Sequence, residues 1–160
     1  MTKILISIRP ELACKILNGQ KTLELRKSCP KLPCEVYVYA TKAKLHLFAP
    51  NGYNEHYWTQ KHYNGNHTLN GKVVAKFTLN KVEKLDIPYP AYFHEVAEKY
   101  AHIVEEGGVS LHELHRYFGT KTGYALHIDN LEIFPQPLSL SDFGLKRASQ
   151  SWCYIKEEAK

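Results

Sequence analysis

The feature that most constrains this chain is the order of its apolar runs. About six read as strands and about three as helices, and the two kinds do not alternate. Residues 3–8 (KILISI) are β-branched and periodic, which predicts a strand with Ile4, Ile6 and Ile8 on one face. Pro10 then sits where a helix begins. Leu12 and Ile16 are four apart, as are Ala13 and Leu17, and together they form one stripe. Asn18-Gly19 closes that helix, with Gly19 as a left-handed cap. Strand patterns follow at 21–26, 35–41 and 71–84, the last with a bend near Asn80. A second helix is predicted over 91–106, striped by Phe93, Val96, Ala97, Tyr100 and Val104. A third starts at Ser110, where Ser110 and Glu113 form a capping box, and ends at Gly119. Strands at 124–134 and 152–155 close the list. Strands without regular crossover helices do not build a doubly wound sheet. The expected fold class is α+β: a small, curved, mixed β-barrel of about six strands, with about three helices packed at its ends.

A chain of 160 residues is most simply one domain, spanning 1–160. It is long enough to bury a core without metals or disulfides. Residues 42–70 depart from the strand pattern. They carry Asn51-Gly52, Asn64-Gly65 and Asn70-Gly71 turn signals among Tyr53, His56, Tyr57, Trp58, His62, Tyr63 and His67. We read this as an insertion with a short helix around 54–62, and an insertion of that length implies a lid or a binding surface. The net charge of +5 fits an anionic partner, nucleic acid included. The thiols of Cys14, Cys29, Cys34 and Cys153 lack the spacing of a zinc or redox motif and read as reduced. No secretory signal is read at the amino end, and no run reaches the roughly 20 apolar residues of a membrane span. The expected location is cytoplasmic, which leaves the acceptor-like Asn66-His67-Thr68 unglycosylated.

The stretch G19-Q-K-T-L-E-L-R-K27 concentrates the charge. Strand periodicity turns Leu23 and Leu25 one way and Thr22, Glu24 and Arg26 the other, with Lys21 just past the helix cap. One reading is a solvated edge strand defended by charge. The other is a cleft wall, because the neighbouring strand at 3–8 is apolar on both faces until Arg9. A charged strand beside it reads as central. A carboxylate next to a guanidinium on one wall is able to hold the polar edge of a base or orient an amide.

With its context I6-S-I-R-P-E and I16-L-N-G-Q-K-T-L-E-L-R-K27, this stretch resembles the ASCH family. The signature positions are Gly19, Lys21, Glu24 and Arg26. The resemblance continues through 72–79, Ser110-Leu111, 124–133 and S149-Q-S-W-C-Y-I155, while 42–70 departs from the minimal form. It implies a PUA-like barrel that binds RNA or a modified nucleoside in a cleft lined by Lys21, Glu24 and Arg26. Some bacterial members are amidohydrolases that remove the acetyl group from N4-acetylcytidine, using a lysine, a threonine and a distant glutamate. Lys21 matches the lysine. Glu24 stands at the threonine position, with Thr22 two residues earlier, and Glu105 or Glu106 falls near the glutamate. The catalytic set implied is therefore Lys21, Glu24, Thr22 and Glu106. In such a scheme Lys21 stabilises an oxyanion or acts as base, and Glu24 activates water. A small protein-interaction domain is the third reading.

Other residues extend the proposed binding surface. Arg9 ends the first strand near the Lys21 cluster, Lys146 precedes the last strand, and Gln150 is placed to read a base edge. Aromatics of the insertion are candidates for stacking on bases. His112 and His115 are three apart, not the four of a zinc-protease helix, and Glu113 between them is already explained as a cap. No metal or organic cofactor is expected, since no phosphate-binding glycine pattern and no ligand spacing occur.

Overall fold

The computed structural model describes residues 1–86, 98–119 and 122–156. The first strand, β1 (Thr2–Ile8), feeds helix α1 (Pro10–Leu17) through Arg9, the helix N-cap. Ile4, Ile6 and Ile8 are buried against α1 in the main core, while Leu5 faces a separate cluster on the other side. Period-2 alternation therefore splits one short strand between two cores. After α1 come β2 (Leu23–Arg26) and β3 (Cys34–Ala40). β3 runs parallel to β1, from Thr2 opposite Cys34 to Ile8 opposite Ala40, with α1 and β2 in the crossover.

The 42–70 segment forms a hairpin and not a helix around 54–62. Strands β4 (His46–Phe48) and β5 (Trp58–Gln60) pair antiparallel, and Phe48 stacks on Trp58 with ring centroids 4.3 Å apart. An offset aromatic pair of this kind stabilises facing strands more than the turn-rich sequence favours a helix. The hairpin docks on α1, where Asn18 Nδ2 donates to the Tyr57 carbonyl and Asn18 Oδ1 accepts the Tyr57 N–H.

The bend near Asn80 separates β6 (Lys72–Leu79) from β7 (Val82–Leu85). Of the second predicted helix, Phe93, Val96 and Ala97 lie outside the described residues; α2 covers Ala101–Gly107. Helix α3 (Leu111–Phe118) starts as its sequence dictates, with Ser110 Oγ accepting the Glu113 N–H at 3.0 Å. The single strand expected at 124–134 breaks at Ile128 into β8 (Gly123–His127) and β9 (Asp129–Leu138). A 3-10 turn (Leu140–Phe143) then leads to β10 (Trp152–Tyr154).

The expected mixed β-barrel is not there, because the sheets do not close. Among the described residues ten strands form three sheets, ordered β10-β1-β3-β6-β9, β2-β8-β7 and β4-β5. The five-stranded sheet ends at β10 and β9, which do not pair with each other. Two breaks keep it open. The bend at Asn80 and the break at Ile128 send β7 and β8 into a second sheet, and β2 pairs there and not with β1. The architecture is α+β with three described helices and three open sheets.

Two cores result. One lies between the large sheet and α1. The other collects Leu23 and Leu25 of β2 with Leu85, Ile103, Leu114 and Phe118, so it binds the small sheet to α2 and α3. The seam between these two bodies is where the charged residues lie.

Candidate functional site

β2 corrects part of each reading of its sequence. By pairing it is an edge strand, not a central one, since β8 alone flanks it. Yet all four of its residues are buried, so it is not a solvated edge. Leu23 and Leu25 enter the second core, which forces Glu24 and Arg26 towards the seam. Lys21, Glu24 and Arg26 are 2%, 4% and 9% exposed. Charges this deep need partners.

Lys21 finds its partner at the end of α2. Its Nζ donates to the Gly107 carbonyl at 2.6 Å, and Lys15 Nζ donates to the Gly108 carbonyl at 2.9 Å. The last turn of a helix leaves carbonyls unpaired and carries partial negative charge, so it attracts two ammonium groups. Gly108, at φ +64°, makes the left-handed turn that exposes these oxygens. Glu24 Oε2 is 3.8 Å from Lys21 Nζ, an ion contact too long for a hydrogen bond. Burial holds the Lys21 ammonium below the ordinary lysine pKa, and Arg26 and Lys15 add to this while Glu24 opposes it.

Arg26 acts mainly as a rivet. Its Nη2 donates to the Ser7 carbonyl at 2.7 Å and its Nη1 to Ser151 Oγ at 3.2 Å, tying the small sheet to β1 and to the approach of β10. Its Nε lies 3.3 Å from Glu24 Oε1 without hydrogen-bond alignment. Glu24 Oε2 is fully buried and accepts no hydrogen bond. That is an expensive state for a carboxylate, about 1–3 kcal/mol or more.

These residues floor a cleft of about 850 Å³, within the usual range of small-ligand sites. Its walls come from five places, one of them the Gly108-Val109 turn between α2 and α3. Ser7 and Thr41 lie at the carboxyl ends of the two parallel strands; Arg9, Glu11, Leu12 and Lys15 come from the start of α1 and its N-cap; Glu113, Arg116 and Tyr117 come from α3; Gln150 precedes β10. The structure therefore brings Arg9, Lys21, Glu24, Arg26 and Gln150 to one cleft. It does not bring Thr22, Glu106 or Lys146 there. Thr22 lies just before β2 and is exposed; its N–H donates to the Glu106 carbonyl at 2.8 Å, while the Glu106 side chain faces solvent. Lys146 is exposed on the segment after the 3-10 turn. Among the described residues no three His, Cys, Asp or Glu side chains cluster as metal ligands.

Sequence reasoning missed Ser7, Lys15, Arg116 and Tyr117. A signal for the last two existed: Glu113, Arg116 and Tyr117 recur at three- and four-residue spacing, opposite the Leu114 and Phe118 stripe. Tyr117 is 43% exposed, with Lys27 Nζ 4.9 Å from its ring centroid. Burial raises its phenol pKa, and the charges of Arg26, Glu24 and Arg9 all reach it.

The fold has a solved counterpart. The ASCH structure from Zymomonas mobilis matches with a TM-score of 0.64 at 20% identity, over 98% of this chain and 89% of that one. The chain has an ASCH-like fold. A serine-to-alanine variant of the Zymomonas mobilis protein gives 0.65 at 19% identity, over 98% and 89%. A tyrosine-to-phenylalanine variant gives 0.65 at 19%, over 99% and 93%. No protein-family model matches the sequence, and no curated protein matches it. Within this ASCH-like fold the stretch from Gly19 to Arg26 divides its work. Gly19, at φ +74°, turns the chain out of α1; Lys21 anchors α2; Arg26 anchors β1; Glu24 is held between them with an unused oxygen. No helix among the described residues is long and apolar enough to cross a membrane.

Proposed function

We propose that the cleft binds a nucleoside, free or as an unpaired residue of RNA, with its base edge against Glu24. One observation carries this reading: the Glu24 carboxylate lines the cleft between two cations, and no described residue donates a hydrogen bond to it. A ring N–H or an exocyclic amine would complete it, and the Lys21 ammonium beside it suits an adjacent ring carbonyl or nitrogen. Tyr117 supplies a half-exposed ring on the cleft wall on which a base can stack. The ASCH-like fold is consistent with this reading, and so is the excess of positive charge.

The test is isothermal titration with the four ribonucleosides, N4-acetylcytidine and single-stranded RNA, on the wild type and on Glu24→Gln. The amide keeps the shape but replaces half of the carboxylate's acceptor capacity with donors. Loss of a charge-assisted hydrogen bond predicts binding weaker by about ten-fold or more. No binding by the wild type, or equal binding by a folded Glu24→Gln variant, overturns the proposal. Chromatography of the N4-acetylcytidine sample adds a second readout. Lys21 and Glu24 are the pair that amide hydrolysis would use here, so release of cytidine would extend the reading from binding to turnover.

A further inference from the structure

The base-binding floor explains Lys21, Glu24 and Arg26, but not the charges nearer the mouth. Arg9 and Arg116 line the same cleft from different elements, one at the N-cap of α1 and the other on α3. Both side chains are exposed, and neither guanidinium makes an ion pair or hydrogen bond with a described residue. Lys15, by contrast, is committed to the Gly108 carbonyl. The helix itself offers an anion little. Pro10 has no N–H, and those of Leu12 and Ala13 already bond to the Arg9 carbonyl, so of the first turn only Glu11 has a free one. Any anion here is therefore held by guanidinium groups.

Charge around the cleft points the same way. Five cationic side chains (Arg9, Lys15, Lys21, Arg26 and Arg116) face three carboxylates (Glu11, Glu24 and Glu113), an excess of two. Glu113 is partly occupied as the cap partner of Ser110, with Oε1 3.2 Å from the hydroxyl. An excess of two positive charges matches a phosphate monoester, which carries about −1.5 to −2 at neutral pH. A neutral nucleoside would leave that excess uncompensated. Guanidinium groups suit phosphate because their N–H donors fork onto two oxygens.

We infer that Arg9 and Arg116 form a phosphate subsite at the mouth of the cleft, so that the ligand is a phosphorylated nucleotide unit and not a bare nucleoside. This rests on the base site at Glu24. A phosphate ester reaches such a site from two sources: a free nucleotide, whose monoester has three terminal oxygens, or the backbone of an RNA strand, whose diester has two and a single negative charge; guanidinium N–H donors fork onto either.

Each ribonucleoside is titrated beside its 5′- and 3′-monophosphates and a dinucleotide, at two salt concentrations, with inorganic phosphate alone as control. The expected result is a monophosphate that binds about ten-fold or more tighter than its nucleoside, with the advantage shrinking in high salt. In Arg9→Ala and Arg116→Ala that ratio falls towards one. In Lys61→Ala, on the hairpin outside the cleft, it stays as in the wild type. A dinucleotide that keeps the advantage identifies an RNA strand as the source, and one that loses it identifies a terminal phosphate; either supports the subsite. Equal affinity for nucleoside and monophosphate overturns the inference while leaving the Glu24 reading intact. An advantage that survives both arginine variants overturns it too. Absence of binding by any nucleoside or nucleotide removes the Glu24 reading and the subsite together.

Discussion

Helix α2 carries a cluster of three polar side chains at each end, and the two differ in how they are finished. Near its start, His102 Nε2 and His127 Nε2 reach Glu83 Oε1 and Oε2 at 3.1 and 3.0 Å, so both carboxylate oxygens are used. At its end, Lys21 and Arg26 flank Glu24 as ion contacts, and neither carboxylate oxygen receives a hydrogen bond from a described residue. The Glu83 side chain is 29% exposed and that of Glu24 is 5% exposed. The carboxylate with easy access to water is thus fully bonded by protein, and the one removed from water is not. A clamp satisfies all its members; a site holds one in reserve for something that comes and goes.

Three measurements press on this contrast, beginning with the largest effect. Arg26→Ala removes the donors to Ser7 and Ser151 and strips Glu24 of a buried counter-charge, so it should cost about 3 kcal/mol in urea denaturation. Glu83→Gln at neutral pH should cost about 1 kcal/mol or less, because its partners are partly solvated. Equal costs would mean that the two clusters do the same job. Second, Lys21 has a folded pKa below its unfolded value of about 10.4. Its favourable contribution is present above the unfolded value and is lost as pH falls through the lower folded one. The stability of the wild type relative to Lys21→Met should therefore improve as pH rises from neutrality towards 10. A flat difference across that window would mean the ammonium is not desolvated. Third and smallest, burial pushes Glu83 up, but hydrogen bonds from His102 and His127 outweigh this and leave it below the ordinary carboxylate value. Its contribution is present above the unfolded value of about 4.3 and fades as pH falls through the folded one. Acid unfolding should be steeper in the wild type than in Glu83→Gln, measured by circular dichroism below pH 5.

What the sequence made legible follows from local rules. Strand β1, helix α1 with its Gly19 cap, and α3 with its Ser110 box are each specified by periodicity and by a capping residue a few positions away. The charged stretch from Lys21 to Arg26 was also legible as a cleft wall. The barrel was not, because closure depends on which strand edges meet, and that was decided by breaks at Asn80 and Ile128 that only a three-dimensional pairing reveals. Pairing hid β2 in the same way. Its neighbour in sequence is β1, but its hydrogen-bonded neighbour is β8, about 100 residues on, and contacts of such separation leave no local pattern. Thr22 shared a predicted face with Glu24 only if the strand began at 21. It begins at Leu23, and Thr22 faces out.

The acceptor that holds Lys21 is a peptide oxygen, and this decides what kind of change can undo it. Alanine is accommodated at 107: a methyl added there would meet Leu25 no closer than 3.6 Å, an ordinary contact. The vulnerable position is its neighbour, where φ of +64° disfavours any residue with a side chain, and an added methyl would sit 3.4 Å from the Lys15 stem. The anchor of Lys21 is thus written in the path of the main chain, and the left-handed turn at 108 is what keeps it there.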